Sequence, residues 1–438
     1  MLAFLSMQGS KPQTSNQLNT SNVSPKRFAV IGGGISGLSI ANLLKKDHEV
    51  TIFESDTRPG GMIKCDVING NLFHRTGGHV FNTKRKDVMQ WFWSFFDKDK
   101  QFNEAVRNSS VFMSDGKQIP YPIENHAYLL DKQLGVRFTK DLVEMAKGGK
   151  EEPSNFEEFL KSRFGETLYE LYFQPYNYKV WRRDLTKVPL SWLEGKLPMP
   201  TVEEIIFNNI YQIKEKAFVH STFYYPQQGG SQFIADTFSK GLDIRYGCKI
   251  EKLCKRGNKY FIEDEIFDGV IFCGNIKQLP TLLAGTLDIS NFTEKIEKLE
   301  SHGTTAVFCE IDKNPYSWIY MPSRNHESHR IICTGNFSPS NNSEGKMTGT
   351  IEFTDYISEE EIKDNLTRIP LSPKYITHHY EKYTYPIQDK DTRHMIATLK
   401  NVLANHEFYL CGRFAEWEYA NMDVCMGYAI DLYNRLLK

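Results

Sequence analysis

A glycine-rich turn between two predicted parallel strands constrains the fold of this 438-residue chain more than any other feature. Phe28–Ile31 is an apolar run typical of a buried strand, and the segment Ile35–Lys46 predicts a helix whose first N–H groups would point at a phosphate. The intervening G-x-G-x-x-G positions are occupied by Gly32, Gly34 and Gly37. A second strand, His48–Phe53, ends at Glu54, whose carboxylate would accept hydrogen bonds from ribose hydroxyls. Together these features predict a dinucleotide-binding βαβ unit.

The residues after Glu54 indicate which dinucleotide binds. The run from Glu54 ends in the glycine pair Gly60 and Gly61. It resembles the extension found in FAD enzymes of the glutathione-reductase-like and amine-oxidase-like superfamily, which NAD enzymes usually lack. This resemblance implies FAD, and the sequence contains no second dinucleotide glycine loop.

Composition excludes several classes of protein. The formal net charge of -1 argues against a nucleic-acid-binding surface. A run of about 18 apolar residues is absent, so we expect no membrane span. Eight cysteines are scattered without a C-x-x-C pair, which predicts reduced core thiols in a cytoplasmic protein. We predict no metal site.

Changes of pattern along the chain predict an α/β protein. It would have a Rossmann-like FAD-binding domain, an inserted helical domain and an antiparallel substrate-binding sheet. The predicted parts are a disordered tail (1–27), the FAD-binding domain (28–124, 216–299 and 386–438), the helical domain (125–215) and the substrate-binding sheet (300–385). Asp243–Ile250 and Lys259–Ile262 are predicted hairpin strands, and Asp423 is predicted to cap a last helix from about Val424 to Leu437.

Six short segments carry residue types suited to a nucleotide diphosphate. Arginine offers a bidentate fork and tyrosine offers neutral donors, while aromatic faces stack on bases and sugars. The segments surround His79, Tyr121, Tyr176, Tyr320 with Arg330, Tyr385, and Arg413. From the residues alone, any one of these arginines and tyrosines is better explained as structural, and His79 as an ordinary core histidine.

In this order, the six segments resemble the UDP-galactopyranose mutase family over about residues 28 to 438. Gly412–Asp423 is the most specific part of the resemblance. Amine oxidases and protoporphyrinogen oxidases share the FAD motifs but usually place an acid where this chain has Arg413. Tyr121–Asn125 and Pro175–Trp181 look closer to the eukaryotic form of the mutase, whereas Met422–Val424 looks closer to the bacterial form.

The resemblance implies a reaction without net redox change. The family interconverts UDP-galactopyranose and UDP-galactofuranose on reduced FAD, through an adduct between flavin N5 and the sugar. It also implies a UDP-sugar as substrate, a nicotinamide donor (NAD(P)H) as external reductant and a role in surface glycan synthesis, and it leaves an oligomer open.

The resemblance also implies roles for particular residues. The implied catalytic residues are Arg330, His79 and Arg413. The implied substrate-binding residues are Tyr121, Glu124, Tyr172, Tyr176, Asn177, Trp181, Lys196, Tyr320, Tyr385 and Tyr419. The implied cofactor-binding residues are Gly32, Gly34, Gly37, Glu54, Gly60, Gly61, Gly78, Gly412, Asn421, Met422 and Asp423.

Two implied positions depart from the family pattern. Lys196 stands where the family has an arginine for the diphosphate, and it lacks the guanidinium fork. Glu124 stands where the eukaryotic form has a glutamine that reads uracil, and an ionised carboxylate cannot donate to a base carbonyl. Three alternatives therefore stay open: a mutase for another nucleotide sugar, an FAD oxidoreductase of the amine-oxidase type, and a non-catalytic flavoprotein subunit.

Overall fold

The computed structural model describes residues 24–148, 152–190, 200–213 and 222–437. The strands in chain order are β1 (Arg27–Ile31), β2 (Glu49–Phe53), β3 (Cys65–Ile68), β4 (Asn71–His74), β5 (Phe102–Val106), β6 (Ser109–Phe112), β7 (Gln118–Pro120), β8 (Thr222–Pro226), β9 (Asp243–Arg245), β10 (Cys254–Arg256), β11 (Lys259–Ile262), β12 (Glu265–Phe267), β13 (Gly269–Phe272), β14 (Ser301–Glu310), β15 (Trp318–Tyr320), β16 (Arg330–Ile332), β17 (Thr348–Thr354), β18 (Lys374–Pro386) and β19 (Phe408–Leu410). The α-helices are α1 (Ile35–Leu44), α2 (Lys86–Trp93), α3 (Lys98–Gln101), α4 (Lys132–Ala146), α5 (Phe156–Leu168), α6 (Gln174–Trp181), α7 (Val202–Tyr211), α8 (Gly230–Ser239), α9 (Leu279–Leu282), α10 (Ser290–Glu297), α11 (Glu359–Leu366), α12 (Thr392–Ala404) and α13 (Met422–Leu436).

A parallel sheet of order β19-β13-β1-β2-β9 forms the Rossmann-like core. Helix α1 follows β1 and is buried along its whole length, because α8 and α13 pack on it above the sheet. A helix enclosed in this way needs apolar or small residues on every face, which explains its sequence ISGLSIANLL. The predicted Rossmann-like FAD-binding fold is therefore confirmed.

The second large sheet has the order β18-β14-β17-β16-β15-β6-β7 and is antiparallel except where β15 pairs with β6. Its last two strands come from residues 109–120, ahead of the helical insertion. Arg330 on β16 lies directly opposite Glu352 on β17 in the sheet register. This sheet is the predicted antiparallel one, extended by two strands from the first part of the chain.

The inserted helices α4 to α7 share one apolar core with the second sheet. Phe164 and Leu168 of α5 belong to the same buried cluster as Trp318 and Tyr320 of β15. A π-turn at Tyr169–Phe173 joins α5 to α6, a local winding common near functional sites. The shared core places α6 against the sheet.

One predicted hairpin strand is wrong. Asp243–Arg245 is the edge of the parallel sheet, where Thr51 lies opposite Asp243, and the small antiparallel sheet comprises β10, β11 and β12. A three-residue strand carries too little alternation to reveal its partner. Within the described residues, no helix is long and apolar enough to cross a membrane.

Candidate cofactor and substrate site

The glycine-rich turn and the later glycine pair, both predicted from the sequence, pack against each other. The Gly60 amide donates to the carbonyl of Gly33 at 2.9 Å, and a Cβ on Gly61 would lie 3.1 Å from the Cα of Gly34. The Gly32 amide donates to the Phe53 carbonyl at 2.9 Å and so ties the turn to β2. The result is a cradle of bare backbone at the carboxyl end of the parallel sheet.

Glycine is required at two places around this cradle. A Cβ on Gly37 would overlap the carbonyl oxygen of Gly32, so α1 could not approach the turn. Gly412 has φ +114°, which other residues rarely adopt, and a Cβ there would meet Ser36. Gly412 therefore closes over the first turn of α1.

Glu54 holds the two ends of the cradle together. Its carboxylate accepts from the Gly33 amide at 2.5 Å and from the Asp56 amide at 2.8 Å. Only 7% of the residue is exposed. The structure therefore gives Glu54 a backbone-fixing role, and the ribose contact inferred from the sequence stays a prediction.

The N-terminus of α13 meets that of α1. The cap residue of α13 is Asn421, and Met422 is its buried first residue. The prediction that Asp423 caps this helix is wrong, because the helix begins two residues earlier, at Met422, and Asp423 lies in its first turn. Burial raises the pKa of Asp423, against a hydrogen bond from Thr83 that lowers it.

The residues present fit an FAD dinucleotide. The glycines of the cradle leave space that side chains would otherwise fill. The N-termini of α1 and α13 lie there and supply partial positive charge for a pyrophosphate. Beside the cradle, Gly61 begins a short turn whose Met62 carbonyl accepts from Thr76 at 2.9 Å. This bond joins the dinucleotide cradle to the loop that carries His79.

His79 lies in that loop with its Nε2 buried and without a partner among the described residues. Burial and the positive charge of Arg413 lower its pKa to about 4, so the ring is neutral at neutral pH. The preceding Gly77 amide donates to Glu352 at 3.0 Å, and Gly78 packs against Ile332. The buried Nε2 without a hydrogen-bond partner indicates that the neutral His79 ring contacts a ligand and is not an ordinary core histidine.

Arg330 is fixed by a buried carboxylate. Its Nε donates to Glu352, which is 1% exposed, and its Nη2 donates to the Tyr385 hydroxyl at 3.1 Å. Burial alone would raise the pKa of Glu352, but the attraction of Arg330 and the interactions with His329 hold it well below its usual value. One edge of the guanidinium is thus anchored in the sheet.

Arg413 links the two parts of the site. Its guanidinium donates to the carbonyls of Thr384 and, at 3.3 Å, Ala420. The same group lies 4.2 Å from the ring centre of Tyr419, and the Tyr419 and Tyr385 rings stack 5.5 Å apart. Arg413, Tyr419, Tyr385 and Arg330 form a continuous row of donors.

An aromatic wall continues from this row. The Tyr176 ring lies 5.6 Å from Tyr320 and 5.5 Å from Tyr172, and Tyr320 lies 5.0 Å from Tyr121. Burial raises the pKa of Tyr172 well above its usual value, and the charge of nearby Glu124 raises it further. Burial also raises the pKa of Tyr176 well above its usual value, so the Tyr172 and Tyr176 hydroxyls stay protonated at neutral pH.

Glu124 is 2% exposed, and its own backbone amide donates a hydrogen bond to the carboxyl group. Its backbone carbonyl accepts from Asn209 at 2.7 Å. Burial raises the pKa of the carboxyl group to about 7. Glu124 is therefore divided between its neutral and ionised forms near neutral pH.

Asn177 and Trp181 follow Tyr176 on α6. The Asn177 amide donates to the Phe173 carbonyl at 2.8 Å, and the Trp181 carbonyl accepts from His302 at 2.8 Å. Lys196 lies outside the described residues.

Sequence reasoning missed Glu352 and Arg107. Arg107 donates to the Tyr320 hydroxyl at 2.5 Å, and its guanidinium lies 5.8 Å from the centre of the Tyr121 ring. A lone carboxylate inside the run TGTIEFT was the available signal for Glu352. Arg107 had no comparable local signal.

The fold and the cradle define an FAD-binding flavoprotein architecture of the Rossmann-like type. A family profile described as NAD(P)-binding Rossmann-like domain matches residues 30–98. The chain is 22% identical to UDP-galactopyranose mutase of Mycoplasma genitalium, over 95% of this chain and 96% of that protein. It is 23% identical to dTDP-fucopyranose mutase of Escherichia coli, over 94% of this chain and 98% of that protein. A solved structure of reduced UDP-galactopyranose mutase superimposes with a TM-score of 0.83 at 21% identity, covering 94% of this chain and 95% of that chain. The resemblance to the UDP-galactopyranose mutase family is thus confirmed along nearly the whole chain.

Proposed function

We propose that this protein is a flavin-dependent nucleotide-sugar mutase that interconverts UDP-galactopyranose and UDP-galactofuranose. The observation that carries the proposal is the row of Arg330, Tyr385, Tyr419 and Arg413 between the dinucleotide cradle and the aromatic wall. Reduced FAD, when bound, would supply the nucleophile for the anomeric carbon of the sugar. The full-length likeness to two nucleotide-sugar mutases supports the same class of reaction.

Arg330 and its tyrosine neighbours would hold the diphosphate. Glu352 and Tyr385 anchor parts of the Arg330 guanidinium, and its remaining N–H groups would bind phosphate oxygens. Tyr385 and Tyr419 would add neutral donors. Such a grip suits a leaving group that must stay bound until the sugar ring has closed again.

On the cofactor side, Arg413 and the N-terminus of α13 would favour negative charge on the bound group. His79 would lie against the flavin as a neutral ring, since its pKa is lowered to about 4 by burial and by Arg413. A neutral imidazole there would add no charge of its own, so the positive charge that favours a reduced flavin would come from Arg413 and the N-terminus of α13.

Tyr121, Tyr172 and Tyr176 would form the wall for the base, because aromatic faces stack on nucleobases. Asn177 and Trp181 would face the sugar. A protonated Glu124 would present one donor and one acceptor to an imide edge, as the glutamine of the eukaryotic form does.

A mutase for another nucleotide sugar is the second candidate. Glu124 and Lys196 depart from the family pattern at the base and the diphosphate, and the likeness to dTDP-fucopyranose mutase is as extensive as that to the UDP enzyme. Reduction by a nicotinamide donor, a cytoplasmic location and a role in surface glycan synthesis stay predictions.

The proposal is tested by turnover of the reduced protein. FAD-loaded protein is reduced with dithionite under nitrogen and given UDP-galactofuranose or a dTDP-linked furanose, and the products are separated by chromatography. The expected result is conversion to the pyranose form by the reduced protein and none by the oxidised protein. Failure with every nucleotide sugar, together with steady peroxide production from an amine, would falsify the proposal in favour of an amine-oxidase-type enzyme.

Substituting Glu124 with glutamine is expected to stabilise the ligand-free protein in a pH-dependent way. The folded pKa of Glu124 is raised from 4.5 to about 7, so the stability associated with its neutral form is present below pH 4.5 and is lost as the pH rises towards 7. The free energy of unfolding of Glu124→Gln should therefore exceed that of wild type by up to about 3 kcal/mol at pH 8 and by about 1 kcal/mol at pH 5. Urea unfolding at both pH values measures the difference. Glu104→Gln, at an exposed position, is the matched control, and a gain independent of pH would contradict the assignment.

A further inference from the structure

Three side-chain contacts tie α6 to the connection between β15 and β16 along the whole length of the helix. This connection, residues 321–329, starts after Tyr320 and ends before Arg330. From the first residue of α6 to the residue that caps its C-terminus, the contacts are Arg324 Nη2 to Gln174 Oε1 at 2.6 Å, Lys179 Nζ to the carbonyls of Met321 and Ser328, and Arg182 Nη1 to Glu327 Oε2 at 2.5 Å. The helix and the connection are therefore fastened as a pair.

The central contact is of a different kind from the outer two. Lys179 is 5% exposed, and its ammonium nitrogen lies 3.0 Å from the Met321 carbonyl oxygen and 2.9 Å from that of Ser328. The His326 Nδ1 lies 3.5 Å away, and no carboxylate pairs with Lys179 in the described part of the chain. Arg324 is exposed and Glu327 has half of its side chain exposed, so the outer pairs contribute little.

Burial lowers the pKa of Lys179 to about 7, against the opposing charge of Glu327. Both the charged and the neutral amine retain at least two N–H donors, so either form can serve both carbonyls. Those carbonyls belong to buried residues and would lose their partner if the amine were removed.

Lys179 joins the two walls of the proposed substrate pocket. Helix α6 carries Tyr176, and the connection 321–329 is flanked by Tyr320 and Arg330. The rings of Tyr176 and Tyr320 are 5.6 Å apart, and the positive charge of Arg330 acts on the Tyr176 hydroxyl. A shift of α6 relative to the connection would therefore separate groups proposed to hold the base and the diphosphate.

We propose that Lys179 is a positioning residue that sets the spacing between the α6 wall and the Tyr320–Arg330 wall of the pocket. Its effect on turnover rests on the proposed function, whereas its effect on the two segments does not. Removing it should misplace binding groups by a fraction of an ångström to an ångström, a scale that costs about a hundredfold in rate.

Three variants distinguish the loss of the Lys179 hydrogen bonds, called here the Lys179 tether, from a general loss of stability. They are Lys179→Met, Lys179→Gln and Arg324→Met. Methionine removes every donor, glutamine keeps an N–H₂ group on a shorter chain, and Arg324→Met breaks only an exposed contact. At equal FAD content, kcat/KM is expected to fall about a hundredfold for Lys179→Met and about tenfold for Lys179→Gln, and to stay within about threefold for Arg324→Met.

Hydrogen–deuterium exchange of the same proteins measures whether the Lys179 tether still holds the two segments together, and it does not depend on turnover. Amides of 174–181 and 321–329 are expected to exchange faster together in the Lys179 variants and to match wild type in Arg324→Met. If Lys179→Met does not fold, Lys179→Gln alone carries both measurements.

Unchanged exchange in the folded Lys179 variants would overturn the proposal. Lower thermal stability with wild-type kcat/KM would overturn it too, since Lys179 would then be merely structural. A wild-type protein that turns over no nucleotide sugar would instead defeat the proposed function, while the exchange data would still decide whether Lys179 couples the two segments.

Discussion

Replacing Arg330 with lysine is expected to lower kcat/KM by at least about a hundredfold while FAD stays bound. The guanidinium reaches Glu352 with one nitrogen and Tyr385 with another, leaving N–H groups for the diphosphate. A lysine ammonium keeps the charge that neutralises Glu352 but cannot present the same fork. The loss should therefore appear in substrate turnover rather than in folding, as measured by steady-state kinetics and by FAD absorbance of the purified protein.

Lysine is the informative substitution because Glu352 is 1% exposed. Arg330→Ala would leave a buried carboxylate unpaired, at a cost of about 3–5 kcal/mol in stability. The double variant Arg330→Met with Glu352→Gln removes both charges and should recover stability without recovering turnover. Arg137→Lys, at a surface pair with Glu170, is the matched control. Wild-type kinetics for Arg330→Lys would contradict the assignment of Arg330 to the diphosphate.

Substituting Gly34 with alanine is expected to weaken FAD binding at least about tenfold in a protein that still folds. The backbone of Gly34 is in a conformation open to any residue, and a Cβ there would meet only the Cα of Gly61, at an ordinary 3.8 Å. The added methyl group would instead occupy the space where the backbone has to approach the pyrophosphate. Equilibrium dialysis of FAD and thermal unfolding of the FAD-free protein measure the two effects separately.

Alanine substitutions at two other glycines serve as comparisons for Gly34→Ala. A Cβ on Gly37 would overlap the Gly32 carbonyl oxygen, so Gly37→Ala should impair folding itself. A Cβ on Gly135, in α4, would meet nothing within 4 Å, so Gly135→Ala should leave FAD binding intact and stabilise the helix by up to about 1 kcal/mol. Stoichiometric FAD in Gly34→Ala would show that the cradle does not hold the pyrophosphate.

Local signals explain why the cofactor half of the site could be predicted from the sequence. Gly32, Gly37 and Glu54 act within one βαβ unit, where strand, turn, helix and acid follow one another along the chain. The antiparallel strands were equally visible from their apolar runs. Gly60 and Gly61 were recognised by resemblance, and the structure supplies the reason: their backbone packs on that of Gly33 and Gly34.

The substrate half depends on contacts between distant segments. Arg330 meets Glu352 only because β16 and β17 pair in one particular register, and a sequence does not reveal register between strands separated by a long connection. Lys179 looks like a solvent-facing helix residue until the connection 321–329 covers it. Asp423 was misplaced because helix starts are uncertain by a residue or two without the cap geometry.

In the proposed reaction, the protein breaks and remakes the bond between the anomeric carbon and the diphosphate while the nucleotide stays bound. Positional isotope exchange detects this cleavage and re-formation. UDP-galactopyranose labelled with ¹⁸O in the bridge between the sugar and the β-phosphate is incubated with dithionite-reduced and with oxidised protein, and ³¹P NMR locates the label. With the reduced wild-type protein the label is expected to move into non-bridging positions, and with the oxidised protein it is expected to stay in the bridge. The same experiment is repeated with a dTDP-linked pyranose that carries the same label. The proposed reaction would be contradicted if the label remained in the bridge of both sugars with reduced, FAD-loaded wild-type protein.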